Sequence, residues 1–212
     1  MSYGIYSAAE NRIVAKDITD AREKITRVIW NNGARLVDQR GEITREIIGL
    51  EVIVLSGKLR AGQTIMMQAE DFAIGLLNDH IAMKKGEDFD YAYGERLRRA
   101  KQLDKVIELL KTDPSTRRAY LPIFQPIDNF SEVEKPCWAS LQFIIRNRRL
   151  DLIDYFRSNE CCIAIPSDMY GAYKLLEYVA EKVGVMPGWI YHYIACAHLR
   201  ESDYDAIKTL LG

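Results

Sequence analysis

Apolar residues recur at helical spacing in four stretches of the chain and cluster or alternate in five shorter ones, and the expected elements follow from that contrast. Ile18, Ala21, Ile25, Val28 and Ile29 fall three and four apart, so they line a helix opened by Asp17 and Asp20 and stopped by Asn31-Asn32-Gly33. Ile47 to Leu55 is a β-rich run ended by Ser56-Gly57, whereas Ile65 to Leu77 and Leu103 to Leu110 return to helical spacing. Ala119 to Phe124, Ala139 to Ile145 and Leu150 to Phe156 are short β-type runs, the last two joined as neighbours by Arg146-Asn147-Arg148-Arg149. From Asp168, the residues Ala172, Leu175, Leu176, Val179, Ala180 and Val183 form a helical stripe ended by Gly184, and Trp189 to Cys196 reads as a further strand. Strands that cluster late beside several helices predict an α+β layer fold rather than βαβ alternation. No repeat or linker divides the sequence, so residues 1–212 are expected to form a single domain.

Charge narrows the function. With 29 basic and 30 acidic side chains the net charge is −1, which argues against a protein that coats nucleic acid and leaves room for a few arginines gripping one small anion. No run approaches the roughly 20 apolar residues of a membrane span, and the start MSYGIYSAAENR lacks the layout of a secretory signal. A cytoplasmic location without membrane partners is the expectation. Cys137, Cys161, Cys162 and Cys196 are too few and too unevenly spaced for a disulfide framework, and no Cys/His set has zinc spacing, so reduced thiols and no metal are expected. His80 and His192 lack any partner pattern and are assigned to surface or core. Arg96, Arg98, Arg99 and Lys101 read as a basic run on a solvated helix face.

Candidate chemistry begins at Cys137, in Glu134-Lys135-Pro136-Cys137-Trp138 just ahead of a strand, where a thiol after proline can be held exposed. Arginines stand where phosphate recognition would use them: Arg117-Arg118 after Asp113-Pro114-Ser115-Thr116, and Arg157-Ser158 at a strand end. A guanidinium fork beside a hydroxyl suits a phosphate dianion, and the same cations would favour the thiolate.

Taken in order, these residues resemble the thymidylate synthase and deoxycytidylate hydroxymethylase family. Tyr93-Gly94 is similar to its Tyr-Gly before a helix, Asp113 to Arg118 to its Asp-Pro-x-Ser-Arg-Arg, and Pro136-Cys137 with Gln142-Phe143 to its Pro-Cys-His and Gln-Phe. Arg157-Ser158-x-Glu160 resembles Arg-Ser-x-Asp, Pro166-x-Asp168 stands where the family has Pro-Phe-Asn, and Ala197-His198 resembles Asp-Ala-His. The resemblance implies a layered fold with a mixed sheet packed by helices and a sheet-to-sheet homodimer. In it Arg117 and Arg118 reach the partner's nucleotide phosphate, while Arg40 (with Arg45 as rival), Arg157 and Ser158 bind it within the subunit. It further implies that Cys137 adds to C6 of a pyrimidine nucleoside monophosphate, so that C5 attacks the methylene of 5,10-methylenetetrahydrofolate, the cosubstrate. Glu70 (as catalytic glutamate) and Tyr93 would manage protons, Gln142 and His198 would contact the nucleotide, and Glu160 would lie near the folate.

Departures from the family pattern shape the expected activity. Asp168 replaces an asparagine that pairs with uracil; a carboxylate accepts from the exocyclic amine of cytosine, and when either the carboxyl or cytosine N3 is protonated the second contact is satisfied too. A helix N-cap is the competing role for Asp168. No Trp occurs between Trp30 and Trp138, and little sequence follows the last motif, so the C5 methylene is expected to be less shielded from water. Arg200 stands where a tyrosine would hold the sugar, which leaves ribose and deoxyribose both open. The expected activity is therefore C5 hydroxymethylation of CMP or dCMP. The alternatives are thymidylate synthase activity on dUMP and a non-catalytic nucleotide- or RNA-binding relative.

Overall fold

The computed structural model describes residues 11–77, 91–130 and 135–212. Asp17 accepts a hydrogen bond from the Asp20 amide and caps α1 (Ile18–Asn32), whose buried face is Ile18, Ala21, Ile25 and Ile29. Gly33 stops this helix through close approach, not through a left-handed backbone: its φ is −65°, and a Cβ there would lie 2.5 Å from the Ile29 carbonyl oxygen. The later helices are α2 (Gln63–Leu77), α3 (Tyr93–Arg98), α4 (Gln102–Thr112), α5 (Ala164–Val183) and α6 (Tyr204–Leu211).

The strands are β1 (Arg12–Ala15), β2 (Ala34–Val37), β3 (Ile43–Val54), β4 (Tyr120–Pro122), β5 (Trp138–Arg146), β6 (Arg149–Phe156), β7 (Asn159–Glu160) and β8 (Met186–Arg200). They form one mixed sheet in the order β1-β3-β8-β6-β5-β4, with β2 on β3 and β7 on β8. β1 runs parallel to β3 and β6 parallel to β8, the other main pairs being antiparallel. The α+β expectation holds, but strands do not gather only late, because β1 to β3 from the first third join the same sheet. β1 and β2 have four residues each, too short for a period-two pattern to stand out. Asn147 and Arg148, at φ 53° and 60°, make the two-residue turn of the β5-β6 hairpin.

One face of the sheet packs under α1 and α5 through residues such as Val52, Leu152, Phe143 and Ile190. Trp138 and Phe156 stack at 5.5 Å inside this core. β3 and β8 then kink together. Ile47 and Leu50 are both buried, as are Ile194 and Ala197, and the ladder between the strands skips Gly49 and Ala195. Gly49 takes φ 74°, which glycine adopts without steric cost. The change of face puts Ala197 and Leu199 in the core and frees the alternating His198 and Arg200 for the cavity described next.

Two further expectations need correction. α5 begins at Ala164, four residues before Asp168, and its first turn is capped by Glu160, so Asp168 is not an N-cap. Pro166 fits in that first turn, where backbone N–H groups have no intrahelical partner. Arg96 is not on a solvated face: it is buried and forms a two-pronged pair with Asp128 at 2.6 and 2.7 Å. His192 lies in the core, and His80 falls outside the described residues.

Candidate active site

A cavity of about 540 Å³ opens where the loop before β5, the β6-to-α5 connection, the kinked end of β8 and one face of α2 meet. Cys137, Tyr93, Arg40, Arg157, Ser158, Glu160, Asp168, His198 and Arg200, all expected site residues, line it. Glu70 does not. On α2 the side that faces the cavity carries Gln68, Asp71 and Phe72, three and four residues apart, and Glu70 points to solvent. Asp71 is thus the α2 carboxylate at the wall. Arg117 and Arg118 are exposed before β4, away from the cavity, and Gln142 donates to the Arg117 carbonyl at 2.8 Å. Arg45 is engaged elsewhere, donating to the Trp30 carbonyl and stacking over that indole, which leaves Arg40 as the loop arginine of this cavity.

Local contacts fix Cys137. Arg157 donates through Nε to the Pro136 carbonyl and through Nη2 to that of Lys135, while its own amide donates to the Cys137 carbonyl. The Tyr93 hydroxyl accepts from the amides of Cys137 and Trp138, each at 3.2 Å. Burial raises the Cys137 thiol above its ordinary range; Arg157 and Arg40 pull it down, but desolvation outweighs them. The sequence-based expectation of a depressed thiol is reversed, because Arg157 is partly spent on backbone carbonyls and the thiol is half-buried. Burial likewise holds Tyr91 protonated, pushed up to about 12, and Tyr93 well above its usual value.

Asp168 stands on the second turn of α5 at the cavity wall. Although one side is reached from the cavity, protein surrounds the carboxyl, and burial pushes its pKa up to about 7 against the pull of His192. It is therefore substantially protonated at neutral pH. Glu160 is occupied differently: its two carboxylate oxygens accept from the amides of Cys162, Ile163 and Ala164 at 2.8 to 3.0 Å, holding the start of α5. Asp38 accepts from the amides of Arg40 and Glu42 and so shapes the loop that carries Arg40, while Arg200 lies 3.6 Å from Glu42. His198, lowered by burial, is neutral near pH 7 and sits 3.5 Å from the Ser158 hydroxyl.

Sequence reading missed Gln68, Asp71, Tyr91 and Asn159 at this cavity. Helical spacing back from Phe72 reaches Gln68, four residues before it, and from Gln68 it reaches Asp71, three residues on. Among the described residues no cluster of His, Cys, Asp and Glu could hold a metal ion, and no helix is long and apolar enough to cross a membrane.

Comparison with known proteins places this geometry in a family. A protein from Methanococcoides burtonii named "Putative thymidylate synthase" is 34% identical over 97% of both chains, and one of the same name from Methanosarcina mazei is 35% identical over 94% of both. The thymidylate synthase of Mycoplasma genitalium is 31% identical over 67% of this chain and half of its own length. The family model for thymidylate synthase matches residues 28–212, spanning every cavity residue named above, and the chain belongs to the thymidylate synthase family.

Proposed function

We propose that this protein is a single-domain, folate-dependent one-carbon transferase that hydroxymethylates C5 of a cytidine monophosphate, CMP or dCMP. The observation that carries this reading is Asp168, a substantially protonated carboxyl lining the same cavity as Cys137. A neutral carboxyl accepts from the cytosine amine through its carbonyl oxygen and donates its proton to N3, and with donor and acceptor exchanged it also meets uracil; once ionised, it still accepts from the amine but repels the O4 of uracil, so the fraction that ionises near neutral pH favours cytosine. Arg40, Arg157 and Ser158 supply guanidinium and hydroxyl donors for the phosphate, and His198 and Arg200 face the sugar.

In the reaction, the Cys137 thiolate adds to C6 and makes C5 a nucleophile toward the methylene that the folate supplies. Arg157 and Tyr93 hold the Cys137 backbone for that attack. Loss of the C5 proton and departure of tetrahydrofolate leave an exocyclic methylene; water adds to it, and release of Cys137 restores the ring. The polar wall of Gln68 and Asp71 can hold that water, which favours hydroxymethyl over methyl product. Glu160 is the candidate contact to the folate through the edge left by its three amide bonds.

A homodimer fits the outer sheet face, where Ile48, Tyr155 and Tyr193 stand exposed around a concavity of about 790 Å³. Pairing through it is the arrangement in which Arg117 and Arg118, remote from their own cavity, would serve a neighbour's phosphate. The names of the relatives favour a second reading, methylation of dUMP. Incubation with methylenetetrahydrofolate and CMP, dCMP or dUMP, followed by mass measurement of the nucleotide, separates the two. Hydroxymethyl on a cytidine nucleotide is expected; methyl on dUMP with dihydrofolate formed would overturn the proposal.

A further inference from the structure

Between the cavity and the sheet lies a polar layer that catalysis as described does not use. Asp154 of β6 and His192 of β8 pair directly across the parallel ladder and point into the core, with His192 Nδ1 2.7 Å from Asp154 Oδ1 and both side chains fully buried. The Phe156 ring covers the imidazole at 4.7 Å. α5, which carries Asp168, packs on both strands. The other atoms of this pair, Asp154 Oδ2 and His192 Nε2, have no hydrogen-bond partner among the described residues. Buried polar atoms without partners cost about 1–3 kcal/mol each, and a buried ionisable pair is no better for stability than apolar residues of the same volume. Core packing therefore gives no reason for an Asp and a His at two inward positions flanked by Leu152, Phe156, Ile190 and Ile194.

We propose that Asp154 and His192 are positioning residues that decide whether Asp168 carries a proton, and through it how strictly the cavity selects cytosine over uracil. The last step rests on the cytosine reading of Asp168. With His192 cationic, the pair is neutral overall and its near charge favours the Asp168 carboxylate; with His192 neutral, the Asp154 anion keeps the proton on Asp168. One proton is thus exchanged between Asp168 and His192, and no bond other than O–H and N–H changes.

Of the remaining groups around Asp168, the Asn159 side chain also favours the carboxylate through a hydrogen bond, but it does not titrate and so does not substitute for this pair. Glu160 opposes ionisation of Asp168 from the start of α5, and it is tied to three amides. Cys137, Tyr91, Tyr93 and Cys161 are pushed up by burial and stay neutral near pH 7. Asp71 from α2 and Arg40 and Arg157 from the loops line the cavity, and the two arginines also act on Cys137. Cys162, on the same turn as Glu160, is likewise raised by burial. His198 is neutral by burial.

The test is the protonation of Asp168 in the nucleotide-free protein, followed by the carboxylic C=O infrared band lost in Asp168→Asn. In His192→Asn, whose amide can still donate to Asp154, the anion is left unopposed and the midpoint should rise by about one pH unit. Adding Asp154→Asn should return it toward wild type. An unchanged midpoint in His192→Asn, or the same midpoint in single and double variants, would overturn the proposal. Should these variants not fold, Asp168→Asn reads the coupling from the other side: the His192 imidazole resonances should titrate at lower pH than in wild type, and identical curves would overturn it. Finally, the CMP-over-UMP affinity ratio should climb as pH passes the Asp168 midpoint, and climb later in His192→Asn. A shifted carboxyl midpoint with no change in that ratio sinks the cytosine reading and leaves the proton coupling standing.

Discussion

Asp168→Asn should make the protein more stable at pH 8 and no more stable at pH 4. Unfolded, Asp168 ionises at the ordinary 3.8; folded, burial raises it to about 7. A carboxyl raised in the folded state contributes fully below the unfolded value and loses that contribution as pH climbs through the folded one. The gap is about three units, and at 1.36 kcal/mol per unit the wild type gives up as much as about 4 kcal/mol between pH 4 and pH 8. Asparagine does not titrate, so the variant keeps what the wild type loses. For a chain of this size about 2–4 °C of Tm accompanies each kcal/mol, which makes the expected gap at pH 8 roughly 8–16 °C, closing toward zero at pH 4. Thermal unfolding followed by circular dichroism, at one fixed protein concentration across the pH series, measures it. A gap that is the same at pH 4 and pH 8 would refute the reasoning, because it would mean that Asp168 is as solvated in the fold as in the unfolded chain. The same variant should lose any rise in CMP preference above the Asp168 midpoint, because an amide offers an acceptor and a donor at every pH and has no ionised form.

Cys137→Ala should abolish turnover while leaving nucleotide affinity within about threefold, checked by calorimetry; retained turnover would remove the covalent step. Arg96→Met leaves the buried Asp128 carboxylate unpaired and should cost about 3–5 kcal/mol in urea denaturation, whereas a loss below about 1 kcal/mol would show that the pair is hydrated. Glu160→Ala strips the acceptor from three amides and should cost about 2–3 kcal/mol, with Glu160→Gln recovering part of it by keeping one acceptor oxygen. Equal stability of the alanine variant and wild type in the same denaturation would show that Glu160 is not the cap of α5.

Local rules sufficed for elements whose stability is local. The α1 cap at Asp17, the apolar stripes of α2, α4 and α5, and the pairing of β5 with β6 as neighbours were all legible, because spacing and strand patterning are properties of a few consecutive residues. The motif residues Cys137, Tyr93, Arg40, Arg157, Ser158, Asp168 and His198 were legible as a set, and they do share one cavity. Other facts depended on partners distant in sequence. Glu70 and Asp71 are adjacent and chemically alike, and only the rotation of α2 against its neighbours decides which carboxylate reaches the cavity. Arg96 became a core residue because Asp128, 32 positions on, offers a matching carboxylate. Asp154 and His192, 38 apart, meet because β6 and β8 run parallel. The sequence by itself determined which side chains are available for nucleophilic and phosphate chemistry. The tertiary structure decided their charge states: whether the thiol is lowered by arginines or raised by burial, and whether Asp168 holds its proton, depends on desolvation, which is a property of everything packed around a group and not of its neighbours in the chain.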